Sequence, residues 1–425
     1  MVKAKEIEGL DCGASAARGM GCVLATRLGE MCEHRAAAVG PEGEDGVHDM
    51  RVASRRLRSV LRDFRPYLRG GRRLDAARDE LKRLAGALGA VRDEDVAIRA
   101  LEKLSEGATA SVAEGLELLA FERHERREGE RAELARALAE ESFESFRLRV
   151  ASAFERATAP RRAKKRKGDG AGEGGEAGDA LNGDARGEPD DGGPSFEEVG
   201  REIIGRLWDE LRGRGPDIYR PLKSRRLHKL RIAAKRLRYA LELFAACYGE
   251  AQRELAHELA RLQTALGELH DCDGWVEECG RLLEGRKASD GSQGRSASDD
   301  LRGDGANDSR RDDAGDSRRD EANDSRGDDA DDSDPRGTKR SRDGAEELNG
   351  DGAEESRRDS TETAQPEASD ESAARREAAF WLLAHFSARR AEHYVEALEI
   401  WRGLERDGFG VRLAESMKGS QKSER

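Results

Sequence analysis

Two stretches of the sequence carry histidine, arginine and lysine at the spacing of one helix face. The first stripe consists of His48, Arg51, Arg55, Arg58 and Arg62. The second stripe repeats the first four positions and consists of His228, Arg231, Lys235 and Arg238, with Glu242 in the fifth position. At about 100° per residue, each stripe covers about 80° of a helix surface. Apolar residues fall on the opposite side, which predicts that this other face is buried.

Cationic rows that almost exclude acids fit the recognition of a polyanion. Arginine dominates the first stripe, and its planar guanidinium group binds oxyanions through two parallel hydrogen bonds. Because a helix rises about 1.5 Å per residue, the first stripe is roughly 21 Å long, enough to contact several consecutive phosphates. An ordinary solvated charged face is the alternative. The occurrence of the same pattern twice, with its histidine, favours binding.

The two histidines could also indicate metal binding or phosphoryl transfer. Each has an arginine three residues later, Arg51 or Arg231, where a zinc motif needs a ligand and where a cation repels a metal ion. No carboxylate stands in register to orient either imidazole as a base. We therefore predict no metal, no cofactor and no catalytic residue. We expect each histidine to be a further phosphate donor that is partly protonated when the polyanion is bound.

The elements that must position these residues are helices. Apolar residues recur with the helical period, and no alternating strand pattern occurs, so the sequence predicts an all-α fold. Glycine and proline separate the helical segments. The predicted helices cover residues 12–38, 46–68, 72–92, 111–157, 196–213, 222–247, 250–286 and 372–405.

The stripes belong to a longer internal repeat. The segment VHDMRVASRRLRSVLRDF (Val47 to Phe64) aligns without gaps with the later segment LHKLRIAAKRLRYALELF (Leu227 to Phe244). Further along, LAGALGAVRDED aligns with LQTALGELHDCD at a slightly shorter offset, with Asp93/Asp271 and Asp95/Asp273 among the matched pairs. The order is the same in both copies. The sequence therefore predicts a duplicated helical unit.

The net charge of −12 is distributed unevenly along the 425 residues. Residues 287–370 contain 14 Lys/Arg against 26 Asp/Glu, and residues 168–195 contain one Arg against eight Asp/Glu. Because these two stretches carry −12 and −7, the remainder of the chain carries +7. Both are rich in glycine and acidic residues and poor in large apolar ones, which predicts disorder. The foldable part is basic, and this suits an anionic partner.

The cysteines and the hydropathy pattern indicate the cellular compartment of the protein. The six cysteines form no CxxC pair, so we expect reduced thiols. No run of about 18 apolar residues occurs, and the first 22 residues lack the apolar stretch of a signal peptide. We therefore predict no membrane partner and a cytoplasmic location.

The repeated motifs resemble those of the CHAD family, which is named for a conserved histidine in an α-helical domain. VHDMRVASRRLRSVLRDF followed by LKRLAGALGAVRDEDV is similar to the first-half signature of that family. LHKLRIAAKRLRYALELF followed by LQTALGELHDCD resembles the second half, and FWLLAHFSARRAEHYVEALEIW fits the closing helix. The resemblance covers the chain outside the two acidic stretches.

The resemblance implies two four-helix bundles related by a pseudo-twofold axis, with a basic surface or groove between them. It also implies binding of inorganic polyphosphate and, in some members, association with polyphosphate granules. By position, the implied ligand contacts are the residues of the two stripes other than Arg62. We add Arg62 because it lies on the same face of the helical wheel. Lys82 and Arg92 match further basic positions, although their repeat partners are Ala260 and His270. The triphosphatase motif ExExK found in fused relatives is absent from this sequence, so no such activity is implied.

These observations divide the chain into four parts. Residues 1–157 and residues 196–286 with 371–425 form the two helical halves, residues 158–195 a disordered linker, and residues 287–370 a disordered acidic insert. We expect a protein that binds inorganic polyphosphate without hydrolysing it. Nucleic-acid binding through the same surface, helped by Arg161 to Lys167, is the main alternative, although the stripes lack interleaved aromatic residues for base stacking. A histidine-dependent phosphotransferase or phosphatase is the other.

Overall fold

The structure is a computed structural model that describes residues 4–40, 43–159, 193–284 and 366–418. Within these ranges all regular secondary structure is helical, apart from an isolated β-bridge between Ser15 and Ser195. The predicted all-α fold is confirmed. In chain order the helices are α1 (Ala16–Glu33), α2 (Arg35–Val39), α3 (Gly43–Phe64), α4 (Arg72–Ser105), α5 (Ala110–Ala137), α6 (Glu140–Thr158), α7 (Phe196–Arg214), a 3-10 turn (Gly215–Tyr219), α8 (Ser224–Tyr248), α9 (Glu250–Leu283), α10 (Pro366–Arg406) and α11 (Phe409–Ser416).

The chain divides into two compact units, residues 1–301 with 371–425 and residues 302–370. The second unit lies outside the described residues, except for the start of α10. Most of the predicted linker at 158–195 and of the predicted insert at 287–370 also lies outside them. The predicted domain boundaries therefore stay predictions. Both cationic stripes lie in the first unit.

The helix boundaries repeat along the chain. Helices α1 and α7 begin at Ala16 and Phe196, which are separated by the same offset as His48 and His228. Helices α4 and α9 each contain 34 residues and begin at Arg72 and Glu250, with the offset that separates the later repeat blocks. Each half thus contributes four long helices, α1, α3, α4 and α5 in the first and α7, α8, α9 and α10 in the second. The two four-helix bundles expected from the sequence are present.

Main-chain hydrogen bonds join equivalent positions of the two halves. The Ala16 N–H donates to the Pro194 carbonyl at 3.0 Å, and the Phe196 N–H donates to the Ala14 carbonyl at 2.9 Å. Ala16 of the first half corresponds to Phe196 of the second half, and Ala14 corresponds to Pro194. The two bonds are therefore the same contact made once in each direction. The Ser15–Ser195 bridge between them therefore lies on the pseudo-twofold axis that relates the halves.

A cluster of three phenylalanines fills the core beside this axis. Phe64, Phe196 and Phe244 come from α3, α7 and α8, and each is fully buried. Their ring centroids lie 5.0 to 6.4 Å apart, in the edge-on and tilted arrangements that aromatic rings favour. Gly19 of α1 allows the close approach, because a Cβ atom there would lie 2.4 Å from the Phe196 ring. One continuous apolar core therefore spans both halves.

The halves meet again at the far ends of the long helices. A second apolar cluster combines residues of α4 and α5 with residues of α9 and α10. Arg123 of α5 pairs with Glu278 of α9, and its guanidinium carbon lies 5.1 Å from the centre of the Trp275 ring. An ion pair with one largely buried partner adds little net stability, because the cost of desolvation offsets the attraction between the charges. The two halves are thus held together at two separate places.

Several helix boundaries differ from the sequence-based prediction. The predicted helix over residues 12–38 is α1 and the short α2, which meet at His34. The predicted helix over residues 111–157 is two helices, because the chain turns at Leu138 and Ala139. No glycine or proline marks this turn in the sequence. Packing fixes the turn, because Leu138 is fully buried. Helix α4 also continues past the predicted end at residue 92 to Ser105, and its last turns pack in the second apolar cluster.

The expectation that all cysteines are reduced is wrong for one pair. Cys12 and Cys247 form a disulfide that links the segment before α1 to the end of α8, across a sequence separation of 235 residues. The segment is also held by the Glu197 N–H, which donates to the Cys12 carbonyl at 3.0 Å. Sequence spacing did not indicate this pair because it depends on how the two halves pack against each other. Cys22, Cys32, Cys272 and Cys279 are free thiols.

Candidate anion-binding site

The first stripe lies along one face of α3, and the opposite face of this helix packs in the core. Its five members are all half-buried, whereas Met50, Leu57 and Phe64 on the opposite face are fully buried. The helix therefore has the strong segregation of charge and apolar residues that the sequence predicts.

The second stripe lies along α8 and is more deeply placed. His228 and Arg231 are half-buried, while Lys235 and Arg238 are 6% and 8% exposed. Burial of cationic groups is costly unless an anion or another polar group compensates them. Arg238 has one such partner in Glu242 of its own helix, whose carboxylate lies 3.6 Å from its Nε atom.

The two stripes approach each other where α3 and α8 cross. The guanidinium carbon of Arg238 lies 4.8 Å from the centre of the Tyr239 ring, and that of Arg55 lies 5.9 Å from the same centre. A second link joins the helices close by, where Arg236 of α8 lies 3.8 Å from the Asp63 carboxylate of α3. Cations from both stripes therefore share one aromatic ring.

Some stripe residues contact acids of the protein itself. Arg51 donates to Asp93 of α4 at 3.4 Å, and Arg62 donates to the neighbouring Asp63 at 3.2 Å and to the Ser59 hydroxyl at 3.0 Å. A guanidinium group has five N–H donors, so the long hydrogen bond to Asp93 uses only part of the capacity of Arg51. Both hydrogen-bond partners of Arg62 lie on its own helix.

Each stripe histidine faces a basic or titratable residue of the next helix in its own half. Burial and, next, the charge of Arg92 lower the pKa of His48 below its usual value of 6.5. In the second half, the ring of His228 lies 4.3 Å from the ring of His270, centre to centre. His270 is the repeat partner of Arg92. The two halves therefore build the same arrangement with different side chains.

The two basic residues predicted on α4 occupy different settings. Arg92 donates to Glu44 at the start of α3, at 3.2 Å. Lys82 is exposed. Helices α3 and α4 run antiparallel, because Arg65 contacts Asp75 near their connection and Arg51 contacts Asp93 at the other end. Lys82 therefore lies level with the last turns of the first stripe.

Two equivalent acids, the buried Asp95 and the half-buried Asp273, each pair with an arginine that the sequence analysis did not single out. Asp95 of α4 lies 3.6 Å from Arg127 of α5, and Asp273 of α9 accepts a hydrogen bond from Arg390 of α10 at 2.5 Å. Burial raises the pKa of Asp95, and the charge of Arg127 is the largest opposing influence. An Arg-Arg dipeptide in each fourth helix, at 126–127 and 389–390, was the available signal.

The side chains of the described residues indicate which kinds of ligand the site can bind. They contain no group of three or more His, Cys, Asp or Glu side chains arranged to bind a metal ion. None of the helices within them is both long and apolar enough to cross a membrane. The arrangement can bind an oxyanion through arginine, lysine and histidine donors contributed by both halves.

The duplicated helical fold and its paired cationic helices define a class of protein. Comparison with known protein families matches residues 22–279 to the CHAD domain. This chain therefore belongs to the CHAD family. It is also similar to the crystal structure of the CHAD domain from the plant Ricinus communis, with a TM-score of 0.51 and 24% sequence identity over 67% of this chain and 84% of that chain. That likeness concerns the fold. No curated protein matches the chain.

Proposed function

We propose that this CHAD-family protein binds inorganic polyphosphate, without chemical turnover, in a groove between the two stripes. Polyphosphate is a flexible chain of phosphates with negative charge along its whole length and no bases to read. Such a ligand needs rows of oxyanion donors rather than a shaped pocket. The stripes offer arginine forks along two helices that approach each other at Tyr239.

One observation carries the proposal most directly. Arg55 and Arg238 come from different halves, lie on one ring, and have buried Nε atoms that make no hydrogen bond with any described residue. A buried donor atom that makes no hydrogen bond is costly, and more so when it belongs to a charged group. A phosphate between them would offset part of that cost.

The setting of the nearby acids supports binding rather than catalysis. Asp93, Glu44 and Asp63 are three carboxylates beside the first stripe, and each contacts an arginine. Carboxylates used in this way are not grouped to hold the Mg²⁺ ions that phosphoryl transfer uses. The lowered pKa of His48 favours a neutral imidazole near pH 7 in the free protein.

The test is titration of the protein with long-chain polyphosphate. The double charge reversal Arg55→Glu with Arg238→Glu should weaken binding at least about 100-fold, because a hydrogen bond to a charged group contributes about 1.5–3 kcal/mol. Arg253→Glu with Arg406→Glu is the matched control, since it makes the same change in net charge at exposed positions outside both stripes. Equal losses in the two variants would reject the site.

Two further measurements separate the alternatives. DNA that displaces polyphosphate at equal total charge would favour a nucleic-acid partner. Against it, the Tyr239 ring is 8% exposed and packs against two guanidinium groups, so it offers no platform for a base. Release of phosphate in the presence of Mg²⁺ or Mn²⁺, or acid-labile phosphate on the protein, would instead indicate an enzyme.

Association with polyphosphate granules is part of the proposal. A protein that binds the polymer tightly should concentrate where the polymer accumulates. Fluorescently tagged protein should therefore coincide with stained granules in cells. The Arg55→Glu and Arg238→Glu double variant should remain dispersed.

A further inference from the structure

The residue that brings the two stripes together is an aromatic one. We infer that Tyr239 is a positioning residue that holds the guanidinium groups of Arg55 and Arg238 ready for one phosphate segment. The inference rests on the proposed binding of polyphosphate and assigns to that site a residue that does not itself bind the ligand. Its basis is the contact of a single ring with one cation from each half.

Two neighbouring cations repel each other, so something must keep them in place. The face of an aromatic ring attracts a cation through its quadrupole, and arginine also packs flat against it. Arg238 has in addition a half-exposed acid, Glu242, 3.6 Å from its Nε atom. The ring is the contact that Arg55 and Arg238 share, so its removal should release both guanidinium groups.

The pseudo-twofold axis explains why there is one ring and not two. The repeat partner of Tyr239 is Ser59, and both line a small cavity at the crossing of α3 and α8, together with Phe64 and Phe244. Positions related by the axis lie next to each other there, so two tyrosines would compete for the same space. Ser59 is small and 4% exposed, and its hydroxyl accepts from Arg62.

This asymmetry has a consequence for binding. Each long side chain that is already ordered loses less conformational freedom when a ligand arrives. The ring therefore lowers the cost of binding at the point where both halves contribute a donor. Tyr239 acts through Arg55 and Arg238, and its effect should vanish when they are absent.

Three variants test this role by titration with long-chain polyphosphate. Tyr239→Phe keeps the ring and should bind within about two-fold of the wild type, whereas Tyr239→Leu should bind about 10-fold more weakly. In a protein that already carries Arg55→Gln and Arg238→Gln, Tyr239→Leu should cause no further loss. Tyr248→Leu is the matched control, because Tyr248 is also 8% exposed on α8 and its hydroxyl contacts the Glu197 carbonyl, away from both stripes.

A spectroscopic measurement on the free protein is independent of the ligand. The Nε–H resonances of Arg55 and Arg238, assigned by substitution, should be shifted by the ring current in the wild type and in Tyr239→Phe. This measurement also decides the case if Tyr239→Leu does not fold. Unshifted resonances of both arginines in the wild type would overturn the inference.

The outcomes distinguish the two proposals. Failure of the wild type to bind polyphosphate removes the proposed function and this inference with it, whatever the resonances show. Tight binding by the wild type with no loss in Tyr239→Leu leaves the function standing and overturns the positioning role. An equal loss in Tyr239→Phe and Tyr239→Leu also overturns it, because the hydroxyl group and not the ring would then matter.

Discussion

His48 and His228 show how the same position is tuned differently in the two halves. Arg92 beside His48 carries a permanent charge, whereas the equivalent His270 can gain or lose one. Burial and the Arg92 charge lower the pKa of His48, so its proton is weakly held in the free protein. A polyanion beside it favours the charged form and raises that pKa.

Binding of polyphosphate should therefore take up a proton at His48. With a free pKa below 6.5 and a higher bound pKa, affinity should rise as the pH falls below the bound pKa and level off below the free pKa. His48→Gln should make the affinity less dependent on pH. Titrations of both proteins between about pH 8 and pH 5 check this, and identical pH profiles would contradict it.

The cause of the lowered pKa can be tested separately. Replacement of the neighbouring cation by Arg92→Gln should raise the pKa of His48, with a smaller effect than full exposure because burial is the larger cause. The imidazole resonances followed by NMR across the same pH range report this shift. No change would exclude Arg92 as a contributor.

At the scale of elements, the α3–α4 pair places an acid beside the first stripe. Asp93 contacts Arg51 at 3.4 Å, with side-chain exposures of 31% and 16%. A partly exposed pair of this kind contributes little to stability. Asp93 is therefore more important as a negative charge next to the proposed path of a polyanion.

Asp93→Asn should strengthen binding of polyphosphate about three-fold at low salt, because it removes a repulsive charge and leaves the side-chain shape unchanged. The gain should fall as salt is added, since screening weakens the repulsion. Titrations at two salt concentrations measure both effects. Weaker binding by Asp93→Asn would show instead that the acid orients Arg51.

Elements also show what the sequence could predict. The spacing of His48, Arg51 and Arg55 placed a cationic stripe on one face of a helix, because helical periodicity is a local property. The turn at Leu138 and the partners Arg127 and Arg390 could not be predicted in this way. They depend on which helices pack together, and the fourth helices of the two halves share little more than an Arg-Arg dipeptide.

For the whole molecule, the Cys12–Cys247 disulfide joins the segment before α1 to α8 of the second half. A cross-link that closes a loop of 235 residues restricts the unfolded chain more than the folded one. The double substitution Cys12→Ser with Cys247→Ser should therefore lower the free energy of unfolding by about 2–5 kcal/mol. Denaturation in urea measures the loss.

Thiol titration supplies the control for this prediction. The unfolded, unreduced protein should expose four reactive thiols, since four cysteines are free. Three of them should react slowly in the folded state, because burial raises the pKa of Cys32 and of Cys272 to about 11 and that of Cys279 to about 12. Six thiols in the unfolded protein would mean that the disulfide does not form.

The acidic insert predicted at residues 287–370 is the other whole-molecule feature. Its net charge of −12 is tethered to a basic protein, so it should compete with polyphosphate at a high effective concentration. Deletion of residues 287–365, which leaves α10 complete, should tighten binding. An unchanged affinity would identify the insert as a solubilising spacer.

The overall architecture was predictable because the repeat is visible in the sequence. Val47 to Phe64 and Leu227 to Phe244 align without gaps, and the structure places them on equivalent helices α3 and α8. The manner in which the halves join was not predictable. The contacts on the axis involve Ser15 and Ser195, which precede the aligned blocks and have no distinctive chemistry.

Contacts between equivalent residues, such as Ser15 with Ser195 and Phe64 with Phe244, are those that a symmetric homodimer makes. A chain with one copy of the repeat would carry this surface once, and the surface would be complementary to itself. Gene duplication with fusion would then turn two identical subunits into one polypeptide. Once the subunits are covalently joined, each side of the old interface is free to diverge, as Ser59 and Tyr239 have done.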